Sequence, residues 1–289
     1  MKKYDNLQKI QQLDPIKNNW EICHYIAGYD FPWDTIRALE LALLKTFCVP
    51  SISQLLDQTG QFQHHCQKRY DDTGLLVAEI IKWGYESDRG QECIRRMNYI
   101  HSHFPISNAD YLYVLSTFIY EPIRWNARFG WRKMCEQERL ACFYFWQEVG
   151  KRMNIANIPT SYEIFEEYNL NYEEKYFHYS ETNCRVANAT IAMFLGWFPS
   201  FLRPLIKGFV PGLLDERMLR AFGFATPSPL IRHLLESSLK LKGYFSRLLP
   251  PRKEPDFYTE ASIPSYPQGY ELKDLGPAQM LEDLNDGSR

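Results

Sequence analysis

Apolar residues recur along most of this chain at the three- and four-residue spacing of a helix face, and no two alternating runs meet at an Asn-Gly or Asp-Gly turn. The pattern predicts an all-α fold, a single globular multi-helix domain. TIRALELALLKTF (35–47) reads as an amphipathic helix ending before Pro50, because proline restricts the residue that precedes it. Further helices are expected from about Gln67 to Trp83 and from about Arg89 to Phe104. Ser107 with Asp110 three residues on is a capping signal, and the helix it opens carries YLYVLSTFIY until Pro122 bends or ends it. EQERLACFYFWQEVGKRM (136–153) has acidic residues in its first turn and basic ones in its last, as the helix dipole favours, and another helix should span Ser161 to Phe177.

The long apolar stretch from Val186 to Leu214 is interrupted by Pro199, Pro204, Gly208 and Pro211. Between Arg185 and Arg203 lie 17 uncharged residues, the lower end of the roughly 17–25 that a membrane-spanning helix needs. Asn188 and Pro199 inside the stretch favour a buried helix over a span. Prolines and charges dominate after Leu249, so the expected organisation is a helical domain over 1–249 and an extended, partly disordered tail over 250–289.

With 289 residues and 45% apolar content the chain can bury a large core, and its 44 aromatic side chains could line a cavity as well as fill one. The 33 basic and 35 acidic groups nearly cancel, which removes any global pull toward nucleic acid. Seven cysteines at irregular spacing, without C-x-x-C or C-x-x-C-H, point to reduced thiols, no zinc ribbon and no covalently attached haem. MKKYDNLQKIQQLDP lacks the apolar segment of a secretory signal, so a cytoplasmic location is expected. No H-E-x-x-H, G-x-S-x-G, P-loop or G-x-G-x-x-G occurs, and the adjacent His64 and His65 diverge by about 100° on a helix, too far apart to chelate one metal.

Two clusters remain. In ECIRRMNYIHSHF, Ile94, Met97 and His101 share one helix face while His103 sits with Arg96 and Tyr99, so His101 should point inward. An inward histidine is more often a hydrogen-bonded core residue than a ligand, yet a neutral imidazole in a dry pocket could ligate iron. In RYDDT, Arg69 and Thr73 are one turn apart with Asp72 beside them. They could form a polar face toward a cofactor, or the solvated start of a helix with an ordinary Arg–Asp pair.

Taken in order, FPWDTIRALELALLKTFCVPSISQLLDQTGQF, QKRYDDT, IRRMNYIHSHFPISNADYLYVLSTFIYEPIRW, FGWRKMCEQERLACFYFWQEVGKRMNIANIP and the closing RLLPPR resemble the family of MpaB and the rubber oxygenases, nearer its MpaB branch. The resemblance runs from about Asp14 to Pro255. It implies an all-α fold around a non-covalent haem b, with His101 as iron ligand and Arg69 and Thr73 close to the haem. Rubber oxygenases can carry a lysine just before that threonine as a distal ligand; here Asp72 stands in its place.

The expected function is therefore a haem-dependent oxygenase using dioxygen on an apolar, alkene-bearing or isoprenoid-like small molecule, by oxidative C–C cleavage if the resemblance extends so far. Arg69, Asp72 and Thr73 would position oxygen, water or protons. The alternative is a non-catalytic helical protein that binds a lipid-like ligand or a membrane surface through Val186–Leu214, flanked by Arg203 and Lys207.

Overall fold

The computed structural model describes residues 2–286. It contains α1 (Asp5–Ile10), α2 (Asn19–Tyr25), α3 (Pro32–Thr46), α4 (Pro50–Gln58), α5 (Gln61–His64), α6 (Cys66–Trp83), α7 (Asp88–Ser102), α8 (Asn108–Phe129), α9 (Glu136–Arg152), α10 (Tyr162–Tyr176), α11 (Glu181–Gly196), α12 (Arg203–Leu213), α13 (Glu216–Phe222), α14 (Pro229–Leu248) and α15 (Leu281–Asp286). No strand occurs among the described residues, and the elements form one globular all-α domain.

Ser107 caps α8 as its spacing predicts, its Oγ accepting the Asp110 backbone N–H at 3.0 Å. Pro122 does not end that helix, which continues to Phe129 with Glu121, Pro122 and Trp125 buried. Packing here outweighs the lost backbone hydrogen bond. Pro50, expected to stop α3, does more: it occupies the first turn of α4, where a missing N–H costs nothing.

α3 and α8 pack along each other at the centre of the molecule. There Lys45 Nζ donates to Glu121 and Glu173, each at 2.9 Å, tying α3 to α8 and α10. Burial opposes the Lys45 charge, but the two carboxylates more than offset it and hold the ammonium above its ordinary range. The main core spreads from here over α2, α6, α7, α8 and α9. A second core joins Leu44, Phe47 and Phe62 to Val186, Met218, Leu219 and Phe222.

Two expectations are corrected. The uncharged stretch between Arg185 and Arg203 is not one buried helix: α11 ends at Gly196 and buries Val186, Ala187 and Ile191, whereas Trp197, Phe198, Phe201 and Leu205 are exposed where the chain turns into α12. Pro199 separates the two helices. The tail is not loose either. Residues 256–276 run back over α2, α6 and α7 as a strap that buries Phe257, Ile263 and Leu275. Its anchors are irregularly spaced aromatic and apolar residues, which periodicity cannot detect among prolines and charges. Among the described residues no single helix is long and apolar enough to cross a membrane; α3 and α4 together reach that length only across a 93° bend.

Replacing Lys45 with Met should leave buried Glu173 without its cation and Glu121 with Arg124 alone, and cost about 3–5 kcal/mol. Urea denaturation at neutral pH measures it, and a loss below about 1 kcal/mol would show that the trio is not an energetic centre.

Candidate functional site

α6 and α7 form a hairpin whose closure sets the site. Gly84 ends α6 at φ +86°, and a Cβ on Gly90 in the first turn of α7 would lie 1.9 Å from the Gly84 carbonyl oxygen. Ser87 caps α7 by accepting the Gly90 N–H at 3.0 Å. Only glycine permits so close an approach. With the turn centred near residue 85, a position some sixteen residues back on α6 meets one some sixteen residues forward on α7. Arg69 and His101 stand at those positions.

His101 faces inward, as its helix periodicity predicts, beside the Tyr111 ring of α8 at 5.6 Å between centroids. Its Nδ1 is buried with no hydrogen-bond partner among the described residues. Burial first, and the nearby Arg69 charge second, lower its pKa to about 4, so the imidazole is neutral at pH 7. His103 is exposed and bonds the Tyr99 carbonyl of its own helix at 2.8 Å. Arg96, grouped with it on the outward side by periodicity, is instead fully buried under the strap, donating to the Lys273 and Leu275 carbonyls.

The Arg69 guanidinium donates to the Thr73 hydroxyl and lies 6.0 Å from the Phe62 ring centroid. No carboxylate lies within ion-pair distance of it among the described residues, and burial pulls its pKa below the ordinary arginine value. The Arg–Asp pair that a solvated helix start would show is therefore not formed. Asp72 pairs with Lys68 at 2.8 Å and accepts a hydrogen bond from Tyr266 of the strap. Its charge still favours the Arg69 cation, but neither of its oxygens bonds Thr73 or His101. The structure thus groups His101, Arg69 and Thr73, and directs Asp72 toward the strap.

Thr73 opens onto a cavity of about 90 Å³ between α3, α6 and the strap, walled mainly by apolar side chains that include Leu39, Leu43, Val77 and Phe118. The strap contributes Phe257 and Tyr258, which lie so close to Gly28 and Gly74 that a Cβ there would come within 2.6 and 2.9 Å of the rings. Tyr258 also donates to Asp71 at 2.9 Å. Glu40 and, from the strap, Asp256 are carboxylates on this wall; Glu40 accepts from Tyr70 at 2.6 Å and is paired with Arg37 at 2.7 Å. Burial raises its pKa in spite of both partners. Sequence reading missed Glu40, although Ile36, Leu39 and Leu43 place it on the apolar face of α3, where a carboxylate is out of place.

The model of a family described as ER-bound oxygenase mpaB/B'/rubber oxygenase, catalytic domain, matches residues 36–240. The chain belongs to the MpaB/rubber oxygenase family. It is 29% identical over 246 residues to ER-bound oxygenase mpaB' of Penicillium brevicompactum, covering 78% of this chain and 58% of that protein. To ER-bound oxygenase mpaB of Penicillium roqueforti (strain FM164) it is 29% identical over 213 residues, 68% of this chain and 72% of that one. The mpaB of P. brevicompactum matches at 29% over 188 residues, 59% of this chain and 48% of that protein, so the chain spans only about half to three quarters of these relatives. The oxygenase-family match contains Arg69, Thr73 and His101 and ends before the strap.

The His101 shift has a pH signature. A base whose folded pKa is depressed contributes stability that is complete above its unfolded pKa near 6.5 and is lost as pH falls toward 4. Between pH 7 and 4.5 His101 should remove about 2–3 kcal/mol from the cofactor-free protein. Denaturation of wild type and His101→Gln at both pH values measures this; an equal acid loss in the two proteins would place the imidazole in solvent.

Proposed function

We propose that the chain is a haem b-dependent oxygenase whose His101 holds the iron and whose substrate is an apolar, alkene-bearing small molecule. The observation that carries this reading is the buried Nδ1 of a neutral imidazole, without a hydrogen-bond partner among the described residues, beside a partly buried arginine that pairs with no carboxylate among them. A ring nitrogen sealed from water and left without a partner is costly unless something binds there, and only the neutral form can ligate a metal. A buried guanidinium without a carboxylate suits an anionic cofactor group such as a propionate. His101 and Arg69 thus fit the two ends of a haem, its iron and its carboxylates.

Haem b, when bound, supplies dioxygen activation, which side chains cannot perform alone. Thr73 presents a hydroxyl at the edge of the cavity, held in place by Arg69 and by its own bond to the Arg69 carbonyl at 2.9 Å. The apolar cavity walls exclude water and favour a substrate without charge. Glu40 and Tyr70 can retain a proton inside that wall, because burial keeps the carboxyl closer to its neutral form. Asp72 acts at one remove by holding, through Tyr266, the strap that closes the cavity. Oxidative C–C cleavage by this arrangement is the expected outcome for an alkene, in keeping with the family's oxygenase character.

The test is the absorption spectrum of protein purified from haem-sufficient cells. Wild type and His103→Ala should show a Soret band of similar intensity, and His101→Ala should lose it. Arg69→Ala should weaken haem affinity about 10–100-fold, the usual effect of removing a group that supports a metal site. Equal haem retention by the two histidine variants would overturn the ligand assignment, and a colourless wild type that cannot be reconstituted would favour a non-catalytic lipid-binding protein.

A further inference from the structure

α14 is apolar on two opposite faces, and only one of them is covered. Its inner face packs on α8 and α12: a Cβ on Gly243 would come within 2.5 Å of the Phe129 carbonyl oxygen, and Leu235 lies over Gly212. The outer face carries Leu230, Leu234, Leu241, Tyr244, Phe245 and Leu248 at helical spacing, all exposed, with Leu230 and Leu248 each 65% accessible. Beside α14, the turn into α12 leaves Phe201 79% exposed. Six large apolar side chains in one stripe along a 20-residue helix exceed the scatter of single exposed residues that soluble surfaces show.

Charge identifies what covers this stripe. Residues 203–253 hold ten Lys and Arg against three Asp and Glu, in a chain whose total is −2. Helical geometry sets Lys240 and Arg247 along one edge of the stripe. Arg247, Lys207 and Lys253 have no ion-pair partner among the described residues and Lys240 has only a 3.6 Å surface pair with Glu236, whereas Lys242 and Arg232 on the inner side are paired with Asp34 and Glu216. An apolar stripe with Leu and aromatic residues, edged by exposed cations, is the pattern of a helix lying in the plane of a lipid interface. A second copy of the chain would bring the same cations against themselves across a two-fold axis, which disfavours it.

We propose that the outer face of α14, with the adjoining turn before α12, docks on an anionic lipid bilayer. The Lys242–Asp34 bridge, 2.7 Å long, ties this helix to the start of α3, where Pro32, Thr35 and Ile36 line the cavity. Docking therefore brings the cavity's α3 wall close to the lipid phase, from which an apolar molecule partitions.

Flotation of the full chain with phosphatidylcholine vesicles, with and without phosphatidylserine, tests this. The wild type should float with the anionic vesicles and release as salt rises. Leu241→Glu/Phe245→Glu should lower binding by at least about ten-fold, and Lys240→Glu/Arg247→Glu should abolish the anionic preference. Both changes lie on the exposed face, so circular dichroism and melting temperature should match wild type. Wild type that floats with neither vesicle, or apolar-face variants that float undiminished, would overturn the proposal. So would a dimer that dissociates in Leu241→Glu/Phe245→Glu without any vesicle binding, since the face would then belong to a second copy.

Discussion

The contact of Gly84 with Gly90 fixes the register of α6 against α7, and the site depends on that register. Helices three to five turns long amplify any shift at their junction: a side chain at Gly90 would push the turn apart, and Arg69 and His101 near the far ends would no longer face each other. Those two residues create the unusual electrostatics of the site. Both are partly buried; among the described residues the His101 Nδ1 has no hydrogen-bond partner and Arg69 has no carboxylate counter-ion, and the cation of one lowers the basicity of the other. A folded chain tolerates such a pair where a ligand completes it.

The strap shows a second way of building a site. α6 presents Asp71, Asp72 and Glu79 to three tyrosines of the strap, Tyr258, Tyr266 and Tyr270. Burial raises Asp72 in pKa despite Lys68 and Tyr266. The same segment supplies Phe257 and Tyr258 to the cavity wall. The segment beyond the matched catalytic region thereby shapes the chamber that the catalytic helices open onto. Variation in the strap could change what the chamber accepts while leaving His101, Arg69 and Thr73 in place.

Much of this molecule is legible in the chain because its information is local. Three-and-four spacing defines α3, α6, α7, α9 and α10 to within a few residues, Ser107 marks the start of α8, and the phase of α7 separates His101 from His103. Such features depend on residues within a few turns of one another. The resemblance to an oxygenase family also rests on local motifs, and the family match bears it out.

Tertiary structure decided what depends on distant partners. Arg96 reads as a surface residue on its helix and is buried because Leu275 and Lys273, far along the chain, cover it. Asp72 adjoins Thr73 in sequence yet turns to Tyr266, since the strap offers a hydrogen bond that α6 cannot. Pro122 remains helical because the core around α8 holds it, and α14 keeps one apolar face open because no other described residue covers it. Periodicity tells which residues want to leave water; only the packed chain settles which of them find a partner, because the two halves of each contact are encoded far apart.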